Sequence, residues 1–185
     1  EMGIPRPDYN LGIAGGTHGE MTGRMLIEIE KVLLAETPDA LLVYGDTNST
    51  LAAALAAVKL MIPVLHVEAG NRLGTNDNPE EINRVCTDHC SRLLFAATES
   101  CMENLRKENL AAKAHLVGNI MYDSFLHFAN QPWEHPNILD FDGKAVTVPK
   151  EYYFMTCHRQ ENTGSDEALT EIFSAMDSLD APTIY

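Results

Sequence analysis

The sequence predicts an α/β fold built on a doubly wound parallel sheet, and three of its features carry that expectation. Short apolar runs alternate with longer stretches of helical period. The runs are apolar throughout rather than alternating with polar residues, as strands covered on both faces are. Most runs end in glycine, a carboxylate or a small polar residue, the punctuation of strand-to-helix turns.

The elements follow in order. Tyr9-Asn10-Leu11-Gly12-Ile13 reads as a strand closed by Gly15-Gly16, and Met21, Met25, Leu26, Ile29, Val32 and Leu33 then recur at helical spacing. Leu41 to Tyr44 is a buried strand, followed by Gly45-Asp46 and an alanine-rich helix from about Ser49 to Lys59. Pro63 opens the strand Val64 to Val67, and Glu80 to Cys90 is a helix. Leu93 to Ala96 (strand), Ser100 to Glu108 (helix), His115 to Val117 (strand) and Ile120 to Phe128 (helix) complete the pattern. Pro132, Pro136, Gly143 and Pro149 then break helical continuity. The expected organisation is therefore a Rossmann-like domain over 1–130, a linker or crossover over 131–150, and the start of a second domain over 151–185. In that last part Tyr152 to Met155 is a strand, residues 158–164 a polar loop, Asp166 to Leu179 a helix and Thr183 to Tyr185 another strand. A strand without its covering helix makes this second unit look truncated.

Composition excludes several classes. The 185 residues carry 13 Lys and Arg against 27 Asp and Glu, a net charge of −14, which repels nucleic-acid backbones over the surface as a whole. No apolar run reaches the roughly 18 residues of a membrane span, and the N-terminal residues lack a signal-peptide pattern. Cys86, Cys90, Cys101 and Cys157 show no zinc-site spacing and read as reduced thiols of a cytoplasmic protein.

Ligands of open parallel sheets sit beyond the carboxyl ends of the strands. There the sequence places Asp46, Glu68, Thr98, Glu99, Asn119 and, after the linker, His158. Thr47-Asn48-Ser49-Thr50 opens a helix, where free backbone N–H groups and the dipole favour an anion. Glu80 and Glu81 follow Pro79 at a helix start, a position that the dipole alone explains. His66 reads by default as a core histidine. His158-Arg159 is a cation pair suited to a diphosphate. Gly15-Gly16-Thr17-His18-Gly19 is glycine-rich without being a dinucleotide fingerprint.

Together, Gly45-Asp46-Thr47-Asn48-Ser49-Thr50, His66-Val67-Glu68-Ala69-Gly70-Asn71-Arg72, Pro79-Glu80-Glu81-Ile82-Asn83-Arg84 and Cys157-His158-Arg159-Gln160-Glu161-Asn162 resemble the non-hydrolysing UDP-N-acetylglucosamine 2-epimerases. The resemblance implies a two-domain glycosyltransferase-B type fold of which this chain is the central part. It implies interconversion of UDP-N-acetylglucosamine and UDP-N-acetylmannosamine by elimination and re-addition of UDP, with no redox cofactor or metal. Alternatives are a related UDP-diacetamido sugar as substrate, a hydrolysing epimerase, or a chain that binds UDP-sugar without turnover. Matched motif by motif, Asp46, Glu68, Glu80 and His158 take the catalytic positions. Thr47, Asn48, Arg72, Arg84, Asn119, Arg159, Glu161 and Asn162 are expected at the substrate, with Arg72 and Arg84 as partners of Glu68 and Glu80. The chain departs from the commonest motifs at Tyr44, where histidine is usual, at Asn71, where leucine is usual, and in the loop from Leu73 to Asn78, and these positions bear on the choice of sugar. A homodimer supplying polysaccharide precursors is expected.

Overall fold

The computed structural model describes residues 4–75, 78–131, 138–140, 142–147, 149–158 and 160–185, apart from the side chains of Gln160 and Glu161. The chain divides into two compact units, Glu1–Gln131 and Pro132–Tyr185.

In the first unit, helix α1 (His18–Glu36) precedes strand β1 (Leu41–Tyr44), helix α2 (Asn48–Lys59) and strand β2 (Val64–Ala69). Helix α3 (Pro79–Cys90), strand β3 (Leu93–Ala96), helix α4 (Glu99–Lys107), strand β4 (Ala114–Leu116) and helix α5 (Ile120–Ala129) follow. The four strands pair in parallel in the order β1-β2-β3-β4. Because each crossover advances in the same direction, the right-handed rule puts α2, α3 and α4 on one face. Val43, Val64, His66, Leu94 and Ala96 point into that face and are buried. On the other face Leu42 and Tyr44 are 46% and 56% exposed, so among the described residues helical cover lies on one face, the strand order having no reversal to carry a helix to the second.

Local chemistry sets the helix boundaries. The Thr17 hydroxyl accepts from Glu20 N–H at the start of α1, and Thr98 does the same for Cys101 at the start of α4. The Asn78 side chain accepts from Glu80 and Glu81 N–H ahead of Pro79, a cap worth about 1 kcal/mol. At the far end of α3 the Lys113 ammonium donates to the carbonyls of Asp88, His89 and Ser91 at 2.9, 3.2 and 2.7 Å. Burial lowers the Lys113 pKa, with the Asp88 charge opposing. Four fully or nearly fully buried alanines, Ala52, Ala54, Ala56 and Ala57, let α2 pack closely against its neighbours, and the last three form one cluster with Leu33, Val43 and Val64.

The first expected strand, Tyr9 to Ile13, is not formed. These residues lack ladder partners among the described residues, are largely exposed, and include Gly12 at φ +60°. Tyr9 instead donates its hydroxyl to Glu36 at the end of α1.

A buried ion network joins β2, α3 and α4. Arg72 donates to Asp88 Oδ2 at 2.8 Å and to both oxygens of Glu108 at 2.6 and 2.7 Å. Burial works against the Arg72 charge, but the hydrogen bonds and charges of Glu108 and Asp88 outweigh it and the pKa rises. Glu108 is held below the ordinary carboxylate value, first by its hydrogen bond from Arg72, with burial opposing and the Arg72 and His89 charges assisting. Gly70, just past β2, has φ +84°, and a Cβ there would lie 2.5 Å from the Cys101 carbonyl oxygen and 2.9 Å from Leu105 Cγ.

In the second unit, β5 (Ile138–Leu139) and β6 (Ala145–Val146) form a small antiparallel hairpin that the Pro and Gly content masks in the sequence. The Asp140 carboxylate closes its turn by accepting from Asp142 and Lys144 N–H, and Gly143 has φ +78°. Strand β7 (Tyr153–Phe154), the short helix α6 (Gln160–Thr163), helix α7 (Asp166–Asp177) and strand β8 (Thr183–Ile184) follow, with β7 and β8 parallel. α6 occupies part of the expected polar loop.

Two outcomes test this packing. Gly70→Ala should destabilise the first unit by about 2–4 kcal/mol in denaturant unfolding, because both the backbone conformation and the Cys101 carbonyl oppose a methyl group. A lowered carboxylate pKa stabilises the fold above the unfolded value and loses that contribution as pH falls through the folded value. Glu108→Gln should therefore lower stability at neutral pH, with the gap to the parent narrowing below about pH 4.5 in pH-dependent melting.

Candidate functional site

The carboxyl ends of β1 and β2 carry the candidate site, and two backbone features set it. Gly45, at φ +66°, is pinned to β2 at both its polar groups: its N–H donates to the Val67 carbonyl at 3.1 Å and its carbonyl accepts from His66 Nε2 at 2.7 Å. Glu68 lies at a β-bulge, where the β2–β3 register shifts between Val67 and Ala69, and has φ +75°, a left-handed conformation rare for a residue with a side chain. A Cβ at Gly45 would stand 3.6 Å from Glu68 Oε2, so the carboxylate lies directly over the β1 turn. The next residue is Asp46. The turn and the bulge thus bring the carboxylates of two separate strands to one edge.

Arg84, on α3, fixes Asp46. Its Nη2 donates to Asp46 Oδ2 at 2.6 Å while Nη1 reaches Glu81 Oε2 at 3.0 Å. Glu81, 4% exposed, also accepts from Leu73 and Gly74 N–H, holding the loop after β2. Asn83 donates to the Asp46 carbonyl at 2.9 Å and to Asn48 Oδ1 at 3.1 Å, and the Asn48 amide then donates to His18 Nδ1 at 3.0 Å. This chain of amides ties α1, α2 and α3 to the β1 turn. Glu80, one residue before Glu81, is exposed in the first turn of α3.

The Thr47 hydroxyl does not cap α2. It pairs with the hydroxyls of Ser49 and Thr50 at 2.7 and 3.1 Å, and Thr50 donates to the Tyr44 carbonyl at 2.7 Å. The first backbone N–H groups of α2 therefore receive no side-chain acceptor from Thr47.

The structure corrects the expected pairing of the arginines. Arg72 turns to Asp88 and Glu108, and Arg84 takes Asp46 and Glu81 rather than Glu80. The bulge leaves Glu68 exposed, while Arg72 meets the buried Asp88 of α3 and the half-buried Glu108 at the end of α4. Glu68 instead receives the Asn71 amide at 3.5 Å, and Asn71 Oδ1 accepts from the Cys101 thiol at 3.1 Å. Glu68 also belongs to β2 itself and does not follow it.

Asn119 caps α5, its side chain accepting from Met121 and Tyr122 N–H. In the second unit His158 is exposed between β7 and α6, and Asn162 is exposed on α6. Arg159 and the Glu161 side chain lie outside the described residues. The cleft of about 450 Å³ in this unit is lined by Met155, Phe173, Met176 and Tyr185 among others and belongs to the βαβ packing rather than to the carboxylate edge.

Sequence reasoning missed Glu81, Asn83, Asp88 and His18. Three of them mark α3 as unusual: its buried residues are Glu81, Asn83, Thr87 and Asp88, all polar, while Ile82 is 45% exposed. The inversion of its apolar face is visible only once the helix is seated. No three His, Cys, Asp or Glu side chains gather as a metal site among the described residues, and no helix among them is long and apolar enough to cross a membrane.

Comparison with known proteins gives the family and the fold. The family described as UDP-N-acetylglucosamine 2-epimerase matches residues 1–185. The chain is 48% identical over 182 residues to a UDP-2,3-diacetamido-2,3-dideoxy-D-glucuronate 2-epimerase of Pseudomonas aeruginosa, covering 97% of this chain and 49% of that protein. It is 49% identical over 173 residues to a UDP-N-acetylglucosamine 2-epimerase of Methanocaldococcus jannaschii, covering 93% of this chain and 47% of that protein. A crystal structure of the Methanocaldococcus jannaschii UDP-GlcNAc 2-epimerase in complex with UDP-GlcNAc and UDP superimposes with a TM-score of 0.80 at 43% identity, over 97% of this chain and 50% of that one. The chain thus spans about half the length of the relatives it matches. A parallel sheet ending in a pinned Gly-Asp turn and a bulged glutamate, matched along its whole length, is that of a member of the UDP-N-acetylglucosamine 2-epimerase family.

Proposed function

We propose that this chain forms the carboxylate-bearing part of an epimerase that interconverts UDP-N-acetylglucosamine and UDP-N-acetylmannosamine. The observation that carries the reading is the convergence of Asp46 and Glu68 at one sheet edge, each held by its own backbone feature, with Glu80 in the first turn of the helix that orients Asp46. The proton on carbon 2 of the sugar is not acidic in the intact substrate. Breaking the carbon 1–oxygen bond as that proton leaves releases UDP and forms a carbon 1–carbon 2 double bond. UDP then re-adds to carbon 1 while a proton returns to the opposite face of carbon 2. Both directions require acid/base groups on two faces and positive charge or N–H donors for the departing diphosphate.

Asp46, Glu68 and Glu80 are assigned to the acid/base work. Arg84 presents Asp46, and Thr47 and Asn48 offer polar groups at the start of α2, whose dipole favours an anion. His158 and Arg159 are assigned to the diphosphate, with Asn119, Glu161 and Asn162 as further substrate contacts. Arg72 acts through the ion network beneath Glu68 and Gly70. The chemistry needs no redox cofactor.

A second reading is favoured by the Pseudomonas aeruginosa relative and by Asn71: a UDP-diacetamido sugar epimerised by the same elimination. The Asn71 amide, fixed by Cys101, is a polar group where leucine is usual, beside Glu68.

The four free cysteines support a cytoplasmic protein, and a UDP-sugar product supports a role in supplying polysaccharide precursors. The exposed Met121, Tyr122 and Phe125 of α5 and the open sheet face at Leu42 and Tyr44 support a homodimer.

In the full family-length protein carrying these residues, incubation with UDP-N-acetylglucosamine in deuterated water should place deuterium at carbon 2 of both sugars. Release of free N-acetylmannosamine would instead identify a hydrolysing enzyme, and preferential turnover of a UDP-diacetamido sugar would select the second reading. Asp46→Asn, Glu68→Gln and Glu80→Gln should each lower kcat about 10²–10⁴-fold in a folded protein; near-normal turnover in two of the three would overturn the assignment. Light scattering should give a dimer, and a monomer across a wide concentration range would contradict it.

A further inference from the structure

His66 is wholly buried, and both of its ring nitrogens face acceptors. Nδ1 lies 2.7 Å from Asp88 Oδ1 and Nε2 lies 2.7 Å from the Gly45 carbonyl oxygen. A carbonyl oxygen cannot donate, so the Nε2 contact requires a proton on the ring. The Nδ1 contact requires a second proton, on either the ring or the carboxyl group. The rest of the Asp88 environment places it. Asp88 Oδ2 accepts from the Arg72 guanidinium at 2.8 Å and from Gly70 N–H at 3.0 Å, so apart from His66 the carboxylate already takes two donors, one of them cationic. This is the coordination of the anion. The second proton therefore belongs to Nδ1.

We infer that His66 is a buried imidazolium and a positioning residue for the site, locked between Asp88 and the Gly45 carbonyl so as to hold the Gly45-Asp46 turn against the Glu68 bulge. A neutral ring has one N–H. It would satisfy either Asp88 or Gly45 and leave the other facing an unprotonated ring nitrogen at 2.7 Å. The charges around it balance in this state. Asp88 faces it from α3, Arg72 sits on the far side of Asp88, Glu108 reaches Arg72 from the end of α4, and His89 reaches Glu108 at 3.2 Å. Lys113 is bonded to the Asp88 carbonyl, and Glu68 is two residues along β2. The ring is shut off from solvent and meets the edge at the Gly45 carbonyl. It acts on the reaction through the one carbonyl that precedes Asp46.

The protonation state stands on hydrogen-bond geometry alone, whereas its effect on turnover rests on the epimerase reading. Two measurements separate them. In the full family-length protein with ring-¹⁵N histidine, assigned by comparison with His66→Gln, both His66 nitrogens should be protonated, each with a slowly exchanging ring N–H proton, at about pH 7.5. One bare ring nitrogen at that pH overturns the inference, whatever the enzyme's activity. In Asp88→Asn the same ring should fall to a single N–H; retention of both protons there would show that Asp88 does not hold the second. For the positioning role, His66→Gln, whose amide can donate to one acceptor and not both in this geometry, should lower kcat at least about tenfold with KM changed by less than about threefold. Parental kcat in a folded His66→Gln protein would overturn that role while leaving the ring measurement to stand by itself.

Discussion

The Asp88 carboxylate holds the first unit's candidate edge together. It is fully buried on α3, and its three donors come from three places: His66 in β2, the Gly70 backbone just past β2, and Arg72 in the loop that follows. Arg72 extends the connection to Glu108 at the end of α4. A buried charge of this kind is costly unless every lone pair is engaged. Here the engagement fixes the relation of α3 to β2 and therefore the relation of everything α3 carries to everything β2 carries. Removing any one donor would leave a buried acceptor unmatched, so the network specifies one arrangement more than it adds stability.

The candidate site inherits that arrangement. From α3, Arg84 reaches across to Asp46 and Asn83 reaches the Asp46 carbonyl, so the acid at the end of β1 is placed by a helix whose own seating depends on Asp88. From β2, the bulge turns Glu68 outward over Gly45. Both Gly45 and Glu68 sit in left-handed backbone conformations, and for Glu68 that conformation costs of order 1 kcal/mol or more. Such strain persists because the ladder on either side of the bulge and the hydrogen bonds to Gly45 leave the backbone no alternative. The result is an edge where two acids from adjacent strands meet and a third begins the next helix.

Much of this is legible in the sequence because strand-end chemistry is local. Asp46 and Glu68 stand out as carboxylates at the ends of apolar runs, and the alternation of those runs with helical periods gives β1 to β4 and the helices between them. His66 reads as a core residue, and it is one. The failures have a common cause: they depend on partners distant in the chain. Motif matching pairs Arg72 with Glu68 and Arg84 with Glu80, whereas Arg72 takes Asp88 and Glu108, 16 and 36 residues away, and Arg84 takes Asp46, 38 residues away, beside Glu81. Asp88 carries no local signal, since an aspartate near a helix end is ordinary. α3 reads simply as a helix, and nothing local shows that its polar face, with Glu81, Asn83, Thr87 and Asp88, is the buried one. Tyr9 to Ile13 has strand composition and no partner strand among the described residues, and periodicity cannot distinguish the two cases.

The central claim is that this edge serves the departure and return of UDP rather than a simple exchange of the carbon 2 proton. Positional isotope exchange tests it most directly. UDP-N-acetylglucosamine labelled with ¹⁸O in the bond between carbon 1 and the β-phosphorus should, in the full family-length protein, scramble that label into the non-bridging β-phosphate oxygens. It should do so at least as fast as manno product appears. Epimerisation with the label retained in the bridge would contradict an elimination in which the diphosphate departs far enough to rotate before it re-adds.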